Sequence, residues 1–131
     1  MQPNQINVLV IDDDEIAREF LCDVLRRFGF VVEDLPSTIG VTNKIVRDKY
    51  HVVVLDVMMP AIRGDKLAGL LRKNPHLQGL GVVMVSSASV AELGQLAEGV
   101  DPTAVISKAD ARTKLPPAVL RAAQESAGAK P

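Results

Sequence analysis

Only one cysteine, Cys22, occurs in the chain, so no disulfide can close within it and a reducing compartment is the natural setting. No run of basic residues is found. With 15 Lys and Arg against 16 Asp and Glu the formal net charge is -1, which disfavours direct nucleic-acid binding. No basic segment leads into an N-terminal apolar stretch, and no apolar run approaches the ~18 residues of a membrane span, so neither leader nor membrane anchor is expected. Gly-rich phosphate loops, Ser/His pairs of catalytic type and Cys/His metal patterns are also missing. His51 and His76 lack partners at metal-ligand spacing and read as strand-edge and loop residues. Repeats and low-complexity segments are absent too. A chain of 131 residues, 47% hydrophobic and 24% charged, is then expected to be one soluble, cytoplasmic domain with a single real core, covering residues 1–126, with 127–131 as tail or linker.

Strand-like and helix-like segments alternate along the chain. Asn7-Val8-Leu9-Val10-Ile11 is a short β-branched run that stops at Asp12-Asp13-Asp14, where acids can cap a following helix. Next, Ile16, Ala17, Phe20, Leu21, Val24, Leu25 and Phe28 share one face at about 100° per residue, with Gly29 placed as the stop. Cys22 falls roughly 150° from the middle of that face, predicting a partly exposed, unreactive thiol. Residues 30–34 read as a second strand closed by Leu35-Pro36. Ser37 or Thr38 can then cap a weaker helix carrying Ile39, Val41, Ile45 and Val46.

The stretch from His51 through Val52-Val53-Val54-Leu55 ends abruptly in Asp56, the pattern of a buried parallel strand that delivers one carboxylate to a sheet edge. A loop through Pro60 and Gly64 leads to a helix over residues 65–73. Residues 80–85 form a fourth strand stopping at Ser86-Ser87, and Ser89-Val90-Ala91-Glu92 is a capping-box pattern for a fourth helix ended by Gly99. Ala104-Val105-Ile106-Ser107 is a short fifth strand. The last helix is expected over residues 115 to about 125, because Pro116 and Pro117 then fall in its first turn, where no amide donor is missed; residues 126–131 read as frayed tail. Alternating strands and helices imply an α/β fold, an open and mostly parallel sheet with helices on both faces. Ligands of such sheets bind at the carboxyl ends of the strands.

The residues at those ends are Asp12 and Asp13, Asp56, Ser86 and Lys108, with Ser87 a rival for Ser86 because a one-residue slip reverses the face presented. Three carboxylates, a hydroxyl and an ammonium on one edge are more specific together than any one alone. The set resembles the receiver domain of bacterial two-component response regulators, from about Val8 to the last helix. It is carried by Val8-Leu9-Val10-Ile11-Asp12-Asp13-Asp14, by Val54-Leu55-Asp56-Val57-Met58-Met59-Pro60 with Gly64, by Val82-Val83-Met84-Val85-Ser86 and by Ile106-Ser107-Lys108. The resemblance implies a CheY-like, flavodoxin-like doubly wound sheet of five parallel strands in the order 2-1-3-4-5. Packed carboxylates repel unless a cation neutralises them, and a hard ion such as Mg²⁺ suits an open oxygen cluster. Asp12 or Asp13, Asp56 and, by analogy with the family, the backbone carbonyl of Met58 are its expected ligands. Asp56 would accept a phosphoryl group from a sensor histidine kinase or histidine phosphotransfer protein, with Lys108 and Ser86 contacting that group. Output to a downstream protein would use the face of helix four, strand five and helix five.

Four positions depart from the family pattern. Ala109 stands where proline usually follows the lysine, and Val105 replaces an aromatic residue three positions before it. Met58 and Ala88 offer no side-chain acceptor to orient an attacking water, which points to a slowly hydrolysing acyl phosphate. Two other functions compete. A phosphatase of the haloacid-dehalogenase type would need a second acid two residues after the nucleophile, where Met58 stands. A pseudo-receiver binding partners without phosphorylation is favoured by Val105 and Ala109 and opposed by Asp13, Asp56 and Lys108.

Overall fold

The computed structural model describes residues 2–57, 69, 71, 73–77, 79–87 and 104–129, without the side chains of 76 and 126–129. Five strands are present: β1 (Asn7–Ile11), β2 (Val31–Leu35), β3 (Val52–Asp56), β4 (Gly81–Ser86) and β5 (Ala104–Ser107). They form one sheet in the order β2-β1-β3-β4-β5, with every neighbouring pair parallel. The fold class and strand order are those expected. Helices α1 (Glu15–Phe28) and α2 (Val41–Asp48) follow β1 and β2, and a C-terminal helix spans Ala111–Ala129.

Alternation along the strands gives the sheet two apolar faces. Val8, Val10, Val52, Val54, Val83 and Val85 pack with Leu21 and Leu25 of α1 and with Leu115 and Val119 of the C-terminal helix. Leu9, Ile11, Val53, Leu55, Val82 and Met84 instead meet Val41 and Ile45 of α2, together with Leu71. With both faces covered, β3 and β4 are buried along their whole length, which explains their unbroken apolar sequence.

The ends of α1 are set locally. The Asp14 carboxylate accepts the amide of Ile16 at 3.1 Å and caps the helix. At the other end Gly29 takes φ 113°, so that its own amide reaches Arg26 O and that of Phe30 reaches Leu25 O. Because the Phe30 amide closes the helix, β2 starts at Val31, one residue later than expected. The termini of the strand after His51-Val52 and of β4 also lie within one residue of expectation.

Four expectations are corrected. Cys22 is buried, 2% exposed, because it lies on the flank of α1 that packs over β2, between Arg18, which reaches Asp34, and Arg26, which donates to Val32 O. Conversely Ile16, placed on the apolar face, is 80% exposed. Neither Ser37 nor Thr38 caps α2: the Ser37 hydroxyl accepts the Ile39 amide in a local turn, and Gly40 holds the cap position in the left-handed region. The last helix begins at Ala111 rather than Leu115 and runs beyond Glu125 to Ala129, leaving Pro116 and Pro117 inside it. Their missing amides forfeit bonds to the carbonyls four residues back, worth ~3 kcal/mol or more for an interior proline. Burial of Ala111, Leu115, Val119, Ala122 and Ala123 offsets that loss. The helix lies so close to β4 that a Cβ on Gly81 would sit 2.9 Å from the Ala122 Cβ.

The helix expected over 65–73 is represented by helical residues 69, 71 and 73. Met58, Pro60, Gly64, Ala88 and the expected fourth helix lie outside the described residues.

Candidate functional site

The strand order reverses between β1 and β3, whose chains leave for opposite sides of the sheet, and this opens a crevice beyond their carboxyl ends. Ile11 pairs with Leu55, so Asp12 and Asp56 emerge side by side there. Lys108 is the first residue after β5 and reaches back across the edge. Its Nζ lies 2.8 Å from Asp12 Oδ2 and 3.4 Å from Asp56 Oδ2. Carboxylate oxygens of Asp12, Asp13 and Asp56 fall within 4.8 Å of one another.

The site is where this protein puts its buried polarity. Among the described residues Asp12, Asp56 and Ser86 are the buried polar ones, at 0%, 4% and 0% exposure, and all three belong to the set picked out by the sequence. Asp12 Oδ1 accepts the Asp14 amide at 3.0 Å. Its Oδ2 has the Lys108 charge beside it but no aligned hydrogen bond, leaving it the orphaned buried side-chain oxygen of the described residues. Burial by itself would lower the Lys108 ammonium; the carboxylates of Asp12 and Asp56 outweigh it and hold that ammonium above its ordinary value. Among the described residues, three carboxylates against one ammonium give a formal charge of -2. An orphaned oxygen, an all-oxygen donor set and an excess of acids fit a hard divalent cation such as Mg²⁺.

Ser86 ends β4 one residue beyond Val85, the cross-strand partner of Asp56, and is fully buried, whereas Ser87 is exposed. Val105 is half-buried, faces Met84 across the ladder and packs against the α2-side core. Ala109 lies in a 3-10 turn over Lys108–Asp110, where its amide donates to the Ser107 hydroxyl at 3.3 Å. A proline at that position would lack the donor, so this turn is built on the very residue that departs from the family pattern.

Arg18 was not singled out by sequence reasoning. Its Nη1 donates to the Asp12 backbone carbonyl at 3.0 Å while its Nε pairs with Asp34 Oδ2 at 2.9 Å. The sequence offered only the weak signal of an arginine one turn after a cap that follows a run of acids.

The profile of the response regulator receiver domain family matches residues 8–120. The chain is 31% identical over 90 residues to the 3',5'-cyclic-nucleotide phosphodiesterase regA of Dictyostelium discoideum, covering 67% of this chain and 11% of that protein. With the transcriptional regulatory protein GltR of Pseudomonas aeruginosa it shares 28% identity over 89 residues, covering 68% of this chain and 37% of that one. It therefore spans well under half of either relative. Among solved structures, a sensor protein from Polaromonas sp. JS666 superposes with a TM-score of 0.83 at 22% identity, over 93% of this chain and 98% of the other. The chemotaxis protein CheY4 of Vibrio cholerae gives 0.73 at 21%, over 92% and 98%. At these identities the structural likeness is one of fold, and no helix among the described residues is long and apolar enough to cross a membrane. The profile match spans the whole sheet with its reversed strand order and the acid cluster at its edge, and by it this chain belongs to the response regulator receiver domain family, a signalling domain of two-component systems.

Proposed function

We propose that this domain is a phosphorylation switch with Asp56 as phosphoacceptor. The observation that carries the reading is the Asp12–Lys108–Asp56 cluster at the sheet edge, with two buried carboxylates around one ammonium, an excess of negative charge that a divalent cation would neutralise. An Asp56 carboxylate oxygen attacks the phosphorus of a phosphohistidine, presented by a sensor histidine kinase or a histidine phosphotransfer protein. The new O–P bond forms as the P–N bond breaks, and the departing imidazole nitrogen keeps the electron pair, giving an acyl phosphate. Asp12, Asp13, Asp56 and the Met58 backbone carbonyl are the residues that would hold Mg²⁺, which would supply charge neutralisation at the acid cluster. Lys108 then pairs with the phosphoryl group instead of the bare carboxylates, and the Ser86 hydroxyl donates to one of its oxygens. The domain is a switch, not an enzyme acting on external substrates.

Transfer of the Lys108 contact couples the chemistry to β5 and to the start of the C-terminal helix. The proposed output is a change of affinity for a protein partner on the face formed by the fourth helix, β5 and the C-terminal helix, with no direct nucleic-acid or membrane contact, in the cytoplasm. Val105 packs against the core in place of an aromatic residue, so a rotating aromatic at that position plays no part. Residues 1–126 are the proposed receiver unit and 127–131 the tail or linker, which begins on helical backbone.

Incubation with a small phosphodonor and Mg²⁺, followed by intact-mass measurement, tests the reading. A phosphoryl adduct in the wild type and none in Asp56→Asn is expected. No adduct in either would favour a phosphorylation-independent binding module, to which Val105 and Ala109 lend some weight. Steady phosphate release from unrelated monoesters would instead indicate a hydrolase. Once the adduct is made, Met58→Asn should shorten its lifetime by supplying an acceptor for the attacking water.

A further inference from the structure

The three acids of the cluster are held very unequally. Asp12 is fixed from several sides: its amide donates to Leu35 O on β2 at 3.2 Å, Oδ1 accepts the Asp14 amide, and Oδ2 lies against Lys108. Asp56 is the last residue of a buried strand. Asp13 is exposed, and its side chain makes no hydrogen bond or ion pair with any described residue. It nonetheless sits in the cluster, so its place must come through the backbone, specifically through the peptide linking it to Asp12. The carbonyl of that peptide is the acceptor of Arg18 Nη1. Arg18 is mostly buried, 15% exposed, and its other contact is Asp34 near the end of β2.

We propose that Arg18 is a positioning residue for the cation site: by tying the Asp12 carbonyl to Asp34 it sets the Asp12–Asp13 peptide and so the place of the Asp13 carboxylate. Its guanidinium touches neither the cation nor the phosphoryl group. Its Nε and Nη1 meet a side-chain acceptor and a backbone acceptor in the fixed geometry of a planar fork, which the flexible point charge of a lysine ammonium does not hold. The plain alternative is a strut between α1 and β2 that supports stability alone. This inference rests on the reading of the acid cluster as a Mg²⁺ site.

The test measures Mg²⁺ binding by calorimetry on the unphosphorylated chain for wild type, Arg18→Met, Arg18→Lys and Asp34→Asn, with melting temperatures and, in metal-free samples, the amide NMR signals of Asp13 and Asp14. Arg18→Met should weaken binding ~10-fold or more, the scale expected when a partner that orients a metal ligand is lost. Arg18→Lys and Asp34→Asn should fall in between, and the Asp13 and Asp14 amides should shift before any cation is added. Unchanged affinity in Arg18→Met and Arg18→Lys, whatever happens to the melting temperature, overturns the proposal and leaves a strut. If Arg18→Met does not fold, Arg18→Lys and Asp34→Asn decide on the same criterion. Failure of the wild type to bind Mg²⁺ would overturn the cation reading and this inference together, whereas equal binding by all four proteins overturns the inference alone.

Discussion

Two charged clusters in this molecule are built from the same residue types and come out opposite. At the surface between β2 and α2, Lys44 Nζ bonds Glu33 at 3.1 Å and Asp48 at 3.0 Å, Arg47 bonds Asp48 at 3.0 Å, and the Tyr50 hydroxyl donates to Glu33 at 2.6 Å. Two acids meet two bases there, and each acid has partners. At the carboxyl edge of the sheet, three acids meet one lysine, two of those acids are buried, and one oxygen is orphaned. The surface cluster is complete as it stands. The buried one is not, and that incompleteness separates a site from a piece of structure: buried carboxylates each cost several kcal/mol in desolvation and persist where something else is meant to bind.

The largest expected effect comes from deleting the cation between the two buried acids. Lys108→Met in metal-free solution should lose ~3 kcal/mol in urea denaturation, because it removes the ammonium that the two buried carboxylates share. Added Mg²⁺ should restore much of the loss. For Lys108 itself, a folded value held above the ordinary one means that its contribution is fully present below the ordinary lysine value. It is lost only as pH rises through the raised value, so the wild type keeps this clamp across the neutral range. Lys108→Met as stable as wild type without metal would remove the contrast between the clusters.

A second, smaller effect reads the surface cluster directly. Tyr50 is the only tyrosine in the chain, so ultraviolet absorbance titration reports on it alone. Burial first, and then the adjacent Glu33 carboxylate, push its hydroxyl up to about 12 from an ordinary 10.0. A raised folded value means that the linked stability is intact below the ordinary value and drains away as pH climbs from there through about 12. Glu33→Gln should bring the titration part of the way back. A midpoint at the ordinary value in the wild type would show that the Tyr50–Glu33 bond does not persist in solution.

Legibility in the sequence followed the range of the interaction. Asp56 was readable because an apolar run ending in one carboxylate has few explanations. The limits of α1 were readable because Asp14 and Gly29 act on their own neighbours. Cys22 was misjudged because its burial depends on how far α1 leans over β2, and a helix's own periodicity does not carry that. The start of that helix was missed because the Ser107 turn, not the prolines, leads into it. Arg18 stayed hidden because a polar residue on a helix reads as solvent-facing until the strand end it reaches has been placed.

The smallest expected effect closes the comparison from the other side. Lys44→Met removes a cation with as many ionic partners as Lys108, yet its partners Glu33 and Asp48 reach water and can be solvated in its absence, as the buried Asp12 and Asp56 cannot. Exposed pairs of this kind contribute little and are screened by salt, whereas buried pairs are screened much less. The loss in Lys44→Met should therefore be small beside that in Lys108→Met and should fade as salt is raised, while the Lys108→Met deficit persists when the salt is monovalent. Denaturation of both variants at low and high sodium chloride gives the four numbers needed. A Lys44→Met deficit as large and as salt-resistant as that of Lys108→Met would mean that burial is not what distinguishes the clusters, and the case for the sheet edge as a site would then rest on its orphaned oxygen alone.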